Sequence, residues 1–168
     1  MQSYSKISAN PSISKQWRSL AVFLTIAFGI ATIGSIITEG EIPHWYAMLD
    51  KPSFTPPGWV FAAAWSFLYS AMSVAMWRVW CRRHTKNIGN ALTSYNCQLF
   101  LNCAWTIIFF GLHNPGFALV DIVLLQLANI ATAIYFHRID KIAGLLFIPY
   151  IAWISFAAVL NFYIWIAN

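Results

Sequence analysis

The chain has 168 residues, of which 60% are hydrophobic and only 9% are charged, and its mean hydropathy is +0.62. Soluble domains carry roughly a quarter charged residues, so this composition excludes a soluble globular protein and indicates an integral membrane protein. The formal net charge is +5, but the basic residues lie at the ends of apolar segments. This distribution reflects membrane topology and argues against a nucleic-acid partner.

Five apolar spans nearly exhaust the chain and predict an all-α fold, an integral membrane bundle of five transmembrane helices. Residues 1–18 are polar, and we predict that they form a disordered or surface-lying terminus without the features of a signal peptide. One membrane domain then covers residues 19–168. Its predicted helices cover about residues 20–38, 58–77, 92–112, 117–136 and 142–166, and a long loop fills residues 39–57.

A proline-rich loop leads directly into the second span, in the stretch WYAMLDKPSFTPPGWVFAAAWSFLY. Pro56 and Pro57 remove two backbone donors, so a helix can start only after them, near Gly58. From there, aromatic and thioether side chains recur at three- and four-residue steps and share one helix face. These side chains are Phe61, Trp65, Tyr69, Met72 and Met76. A rigid loop above such a face suits a pocket for a large, flat, apolar ligand.

Polar and aromatic residues also share faces within the later spans, where each polar group must find a partner away from lipid. The third span places Gln98, Asn102, Trp105 and Phe109 on one face, and the fifth places Tyr150, Trp153, Ala157 and Leu160 on another. For Gln126 and Asn129 in the fourth span, we favour a structural role in joining helices. For Asn102 and Trp105, joining helices and contacting a ligand remain equally open.

The cysteines and histidines predict no metal site. Cys97 and Cys103 are six residues apart on one helix and face different directions, while Cys81 lies in a turn. The four histidines are scattered in loops, so an axial ligand to a porphyrin metal is the less favoured interpretation. No nucleophile, base or metal cluster indicates hydrolytic or transfer chemistry.

The distribution of Lys and Arg predicts the orientation, because these residues concentrate in cytoplasmic loops. The amino terminus and the second and fourth turns hold nine of the ten, and the opposite side holds only Lys51. We therefore predict a multi-pass protein with a cytoplasmic amino terminus and an external first loop, in a bacterial inner membrane.

Three strings resemble a known family in order and spacing: WYAMLDKPSFTPPGWVF, QLFLNCAW and PYIAWISFAAVLNFYIW. By these strings and over nearly its whole length, the chain resembles the TspO/MBR family, the tryptophan-rich sensory proteins and translocator proteins, also called peripheral benzodiazepine receptors. The resemblance implies a five-helix bundle, often a homodimer. It also implies a pocket under the first loop that binds porphyrins, such as protoporphyrin IX or heme, and isoquinoline or benzodiazepine ligands.

The resemblance also assigns roles to individual residues. It implies that Trp65, Trp105 and Trp153 are pocket tryptophans, and that Phe117 stands where animal members have a tryptophan. Together with the shared faces, it makes a set of candidate ligand-binding residues. They are Gly34, Trp45, Tyr46, Pro52, Pro56, Phe61, Trp65, Tyr69, Gln98, Asn102, Trp105, Phe109, Phe117, Trp153, Ala157 and Leu160.

Three hypotheses for the function follow from the resemblance. The first is a membrane receptor or sensor that binds porphyrin, has a role in tetrapyrrole or stress regulation, and requires no cofactor. The alternative is an enzyme that degrades porphyrin with light and oxygen, for which the resemblance implies Trp65 and Trp153 as the reacting residues. The third is a transporter of tetrapyrrole or sterol. The expected partners are a flat apolar ligand, the lipid bilayer and a second copy of the chain.

Overall fold

The computed structural model describes residues 13–168, with side chains from Gln16 onward, and this part of the chain is helical apart from short turns. It confirms the predicted all-α membrane bundle, in which α5 and α6 together form the fifth span. The helices are α1 (Ile13–Glu41), continued by a π-helix (Ile42–Tyr46); α2 (Gly58–Cys81); α3 (Gly89–Thr106), continued by a π-helix (Ile107–Gly111); α4 (Pro115–Ile139); α5 (Lys141–Leu145); and α6 (Ile148–Ala167).

Four helical segments are long and apolar enough to cross a membrane: Gln16–Tyr46, Gly58–Cys81, Pro115–Ile139 and Lys141–Ala167. The helix α3 with its π-helical extension is of similar length but more polar. Its amides Gln98 and Asn102 are buried inside the bundle. They therefore lower the hydropathy of this helix without facing hydrocarbon.

The helices follow one another around a ring that is open between α2 and α6 at the level of the backbone. Helix α1 packs against α2 and α3, α3 packs against α4, α4 packs against α6, and α2 approaches the short helix α5. Across the described residues, α2 and α6 share no extensive backbone contact. Their side chains span the distance instead, and we call this region the α2–α6 seam. It is lined by Phe61, Trp65, Tyr69, Tyr150, Trp153 and Phe156.

An ion-pair network closes the bundle on the side where the basic turns lie, which we call the basic side. Arg78 forms two hydrogen bonds with the Asp140 carboxylate, from Nε and Nη2, each 3.0 Å long, and Arg82 Nη2 lies 3.3 Å from the same group. Asp140 also accepts a hydrogen bond from the Ala143 N–H and so caps α5. The network joins α2 to the start of the fifth span.

The sequence predicted a disordered or surface-lying terminus over residues 1–18. Helix α1 begins within this range, because residues 13–18 are already helical. Residues 1–12 lie outside the described part. The Trp77 Nε1–H donates to the Gln16 carbonyl at 2.8 Å, and the Trp77 ring stacks on Trp17 with centroids 5.6 Å apart. These contacts with α2 stabilise the first turns of α1.

The loop predicted at residues 39–57 is shorter than expected, because the first helix continues through Pro43. Pro43 has no N–H and so cannot donate the i→i+4 hydrogen bond of an α-helix. A π-helical turn, with its i→i+5 hydrogen bonds, lets the helix continue past it. Lys51 then stabilises the end of the helix, since its Nζ donates to the carbonyl oxygens of Tyr46 and Leu49 at 2.7 and 2.8 Å.

The single fifth helix predicted at 142–166 is wrong in one respect, since it is broken between α5 and α6. Pro149 stands in the first turn of α6 and cannot donate a backbone hydrogen bond to the preceding turn. Gly144 lets α5 fold closely under α4, because a Cβ at this position would lie 2.8 Å from the His137 backbone. The other helices extend about one turn past or before their predicted ends.

Candidate functional site

Aromatic rings bridge the α2–α6 seam from both sides. The ring centroids of Phe61 and Trp153 are 5.6 Å apart in an edge-to-face arrangement, and those of Trp65 and Tyr150 are 6.1 Å apart in a similar one. Trp65 also lies 5.5 Å from Tyr69 on its own helix, as expected for residues four apart. The seam is therefore lined by indole, phenol and phenyl rings that touch each other through edges and faces.

The loop after α1 crosses over the seam and is fastened to α6. The Asp50 N–H donates to Asn168 Oδ1 at 3.0 Å, and Asn168 Nδ2 donates back to the Asp50 carbonyl at 3.2 Å. Further along the loop, the rings of Phe54 and Phe156 lie 6.4 Å apart, and Pro52 is buried. The loop thus covers the seam on the side opposite the basic turns, which we call the loop side.

A single amide joins three helices beneath the rings. The Tyr69 hydroxyl donates to Asn102 Oδ1 at 2.7 Å, and Asn102 Nδ2 donates to the Tyr150 hydroxyl at 2.8 Å. All three side chains are buried. Asn102 therefore fixes the positions of the two tyrosine rings that flank Trp65, which is the structural role that the sequence left open beside ligand contact.

A second group of rings lies where the two π-helical segments meet, and we call it the π-segment cluster. Trp105 stacks on Phe109 with centroids 5.0 Å apart, and Trp45 lies edge-on to Phe109 at 5.5 Å. The Trp105 Nε1–H donates to Asn161 Oδ1 on α6 at 3.0 Å. The members of the cluster are Trp45, Tyr46, Trp105, Phe109 and Phe110.

Some candidate residues line the seam and others belong to the π-segment cluster, but several, including Phe117 and Gly34, lie in neither group. Phe117 is 69% exposed on the outer face of α4, so the structure does not bring its ring to the interior. Gly34 lies where α1 meets α3, since a Cβ there would be 3.8 Å from Thr106. On α6, Leu160 is buried and Ala157 is half-buried.

Several residues that complete the site are missing from the sequence-based set. Tyr150 shares a face with Trp153, and this spacing was the available signal for it. Asn161 was visible only as a polar residue beside that face. Asn168 and Phe54 carried no local signal, because the contact of Asn168 joins residues 118 positions apart and the ring contact of Phe54 is also long-range.

One interior amide adds unused hydrogen-bonding capacity. Gln98 is fully buried, and within the described residues neither end of its side-chain amide has a hydrogen-bond partner. Asn129 is equally buried but lies beside the Tyr150 hydroxyl on α6. A buried amide without a partner costs about 1 to 3 kcal/mol, so such groups favour a polar atom brought from outside. Gln126 differs, because its Nε2 donates to the Ile151 carbonyl and to Ser155, which joins α4 to α6 as predicted.

These features define a class of protein: a multi-pass helical membrane protein with an aromatic interior region under the loop that follows α1. A sequence model of the TspO/MBR family matches residues 21–166. The chain therefore belongs to the TspO/MBR family, as its tryptophan and proline motifs indicated.

Relatives from archaea, animals and bacteria match across most of their length. The chain is 40% identical to the tryptophan-rich protein TspO of Archaeoglobus fulgidus over 88% of this chain and 94% of that one. It is 41% identical to the human translocator protein, over 81% of this chain and 82% of the human chain. The tryptophan-rich sensory protein of Cereibacter sphaeroides is 37% identical over 89% and 91%.

Proposed function

We propose that the protein is a membrane receptor or sensor that binds a porphyrin in the α2–α6 seam, under the loop that Asn168 fastens. The observation that carries this proposal is that rings, and not backbone packing, bridge α2 and α6. A flat apolar ligand that enters this seam replaces contacts between rings with contacts to its own face. Isoquinoline and benzodiazepine ligands share this shape and would use the same seam.

Binding requires the rings to move apart, because they are now in contact. Separating the edge-to-face pair of Phe61 and Trp153 opens the seam where no extensive backbone contact joins α2 to α6. The porphyrin face then lies against Trp65 and Trp153, while its carboxylates remain at the loop side, where charge stays close to water.

The residues around the seam support binding more than degradation. Photo-oxidation of a tryptophan such as Trp65 could pass an electron hole to the neighbouring Tyr69, but a tyrosine radical must release its proton. The Tyr69 hydroxyl donates to the amide oxygen of Asn102, and an amide oxygen is too weak a base to accept that proton. This geometry disfavours a radical relay through Tyr69, and the enzymatic alternative, with Trp65 and Trp153 as the reacting residues, stands second to binding.

We also propose that the protein assembles as a homodimer through α3. Thr93 and Cys97 are exposed one turn apart on this helix, and small side chains allow two helices to approach closely within a membrane. Phe100 is 72% exposed beside them and would be covered by the second copy.

The proposed binding is tested by titrating protoporphyrin IX in the dark into wild type, Trp65→Ala and Trp153→Ala. Loss of one stacked ring costs about 1 kcal/mol or more, so each variant should bind roughly five- to tenfold more weakly. Trp59→Ala is the matched control, because Trp59 lies on α2 but is 71% exposed, and its affinity should equal that of wild type. Unchanged affinity in both seam variants would refute the proposed site.

A further inference from the structure

A groove outside the seam opens on the lipid-facing surface, where the end of α4 meets α5 and α6. Its volume is about 330 Å³. The side chains of Ile134, Leu145 and Ile148 make its apolar part, and His137 and Arg138 line it one helical turn closer to the basic side. An apolar channel with a cationic end has the polarity of a phospholipid, in which acyl chains follow a charged head group.

Arg138 is available for an anion from outside the protein. Its guanidinium lies 6.0 Å from the Tyr135 ring, and within the described residues it forms no salt bridge. Among the residues that the structure describes, Asp140 is the one acid on the basic side, and Arg78 and Arg82 already bind it at 3.0 and 3.3 Å. An exposed guanidinium without a carboxylate partner favours a phosphate oxygen.

The carboxyl end of a helix carries partial negative charge and normally repels an anion. At the end of α4 this charge is offset by a lysine. Lys86 Nζ donates to the carbonyl oxygens of Arg138 and Ile139 at 3.1 and 2.9 Å. This ammonium group offsets the partial negative charge of the helix end. Gly144 meanwhile holds α5 against the His137 backbone, so the shape of the groove is set by close backbone packing.

We propose that this groove binds an anionic phospholipid, with its phosphate at Arg138 and one acyl chain along Ile134, Leu145 and Ile148. Basic pockets between membrane helices on the cytoplasmic side suit anionic head groups. A zwitterionic lipid carries its own cation next to the phosphate, and Arg138 and Lys86 repel that cation. The groove therefore selects lipids by the charge of the head group, independently of what occupies the seam.

The test uses phosphatidylglycerol with a photoreactive acyl chain, in nanodiscs of phosphatidylcholine that hold the wild-type protein. Peptide mass spectrometry should show saturable labelling within residues 133–148. Unlabelled phosphatidylglycerol should compete with the probe, and additional phosphatidylcholine should not. Labelling that does not saturate, or that both lipids reduce equally, would overturn the proposal without the need for any variant.

Variants then test the assigned contact. Arg138→Gln should lower the apparent affinity for phosphatidylglycerol about tenfold, because it removes the charge-assisted bond to phosphate. Lys141→Gln removes the same charge from an exposed side chain three residues away, and we expect it to change the affinity by less than about twofold. Equal losses in the two variants would show only general attraction of basic residues to the membrane and would overturn the site. Helical circular dichroism of each variant confirms that it is folded.

Discussion

Asn102 holds two buried tyrosine hydroxyls at once, and its hydrogen bonds join α2, α3 and α6. In Asn102→Leu both hydroxyls lose their partner in the interior, so we expect the protein to lose about 2 kcal/mol or more of stability. The measurement is the midpoint of thermal unfolding in detergent. Thr32→Leu, on the exposed face of α1, should leave the midpoint nearly unchanged. Similar midpoints for the two variants would contradict the role of Asn102.

Asp140 gives the protein a specific sensitivity to acid. Burial alone would raise the pKa of Asp140, but the hydrogen bonds from Arg78 and the Ala143 N–H and the charges of Arg78 and Arg82 together lower it. A carboxyl group whose pKa is lowered in the folded state stabilises the protein when the pH is above about 3.9, the ordinary pKa of an Asp side chain. That contribution is lost as the pH falls through the lower, folded value.

We therefore expect the wild type to lose stability as the pH falls below about 4. Asp140→Asn should be about 2 kcal/mol less stable at neutral pH, because its amide binds two guanidinium groups more weakly, and it should lose less stability in acid. Thermal unfolding between neutral pH and strong acid measures both effects. Glu39→Gln, at an exposed position, is the control. An acid sensitivity that survives intact in Asp140→Asn would show that other groups cause it.

Single residues were predictable from sequence where spacing alone determines a face. Four-residue steps place Trp65 and Tyr69 together on α2, and the structure has their rings 5.5 Å apart. Spacing does not reveal which helix a side chain meets, so the division between the seam and the π-segment cluster became visible only in the folded chain. The exposed position of Phe117 was hidden for the same reason.

At the scale of helices, a close contact at Gly144 shapes the break in the fifth span. In Gly144→Ala the new Cβ would lie 2.5 Å from the His137 Cβ and 2.8 Å from its backbone, and backbone atoms cannot rotate away. We expect a loss of about 1 to 3 kcal/mol, since overpacking forces the two helices apart. Gly29→Ala is the control, because a Cβ there meets nothing within 4 Å. Equal unfolding midpoints for the two variants would contradict this account.

Helix existence was easier to predict than helix ends. Five spans were predicted from the sequence, and the helix of each is present although α3 is the most polar. Glu39, Glu41 and Pro43, by contrast, made the end of the first helix look like a loop. The π-helical segment carries the chain past Pro43, and Lys51 stabilises the end with bonds to its carbonyl oxygens. Neither the π-helical segment nor the Lys51 contacts can be recognised from hydropathy, because both depend on hydrogen bonds that form only once the helix exists.

For the whole molecule, we propose that the basic side faces the cytoplasm and the loop faces outward. A cysteine introduced by Ser53→Cys, in the exposed loop, should react with a membrane-impermeant thiol reagent on intact cells. A cysteine introduced by His84→Cys, in the basic turn, should react only after the membrane is opened. Native Cys81, Cys97 and Cys103 are replaced by serine in both proteins. The reverse pattern of labelling would invert the assigned topology.

The most direct measurement of the proposed function is a titration of the purified wild-type protein with protoporphyrin IX. Indole emission and porphyrin absorbance are followed together, in darkness and then under illumination. We predict saturable quenching of the indoles and a porphyrin spectrum that stays intact under light, as expected for a receptor whose seam rings contact the ligand. Light-dependent conversion to a new product would favour the enzyme. Quenching that never saturates would contradict a porphyrin site in the α2–α6 seam.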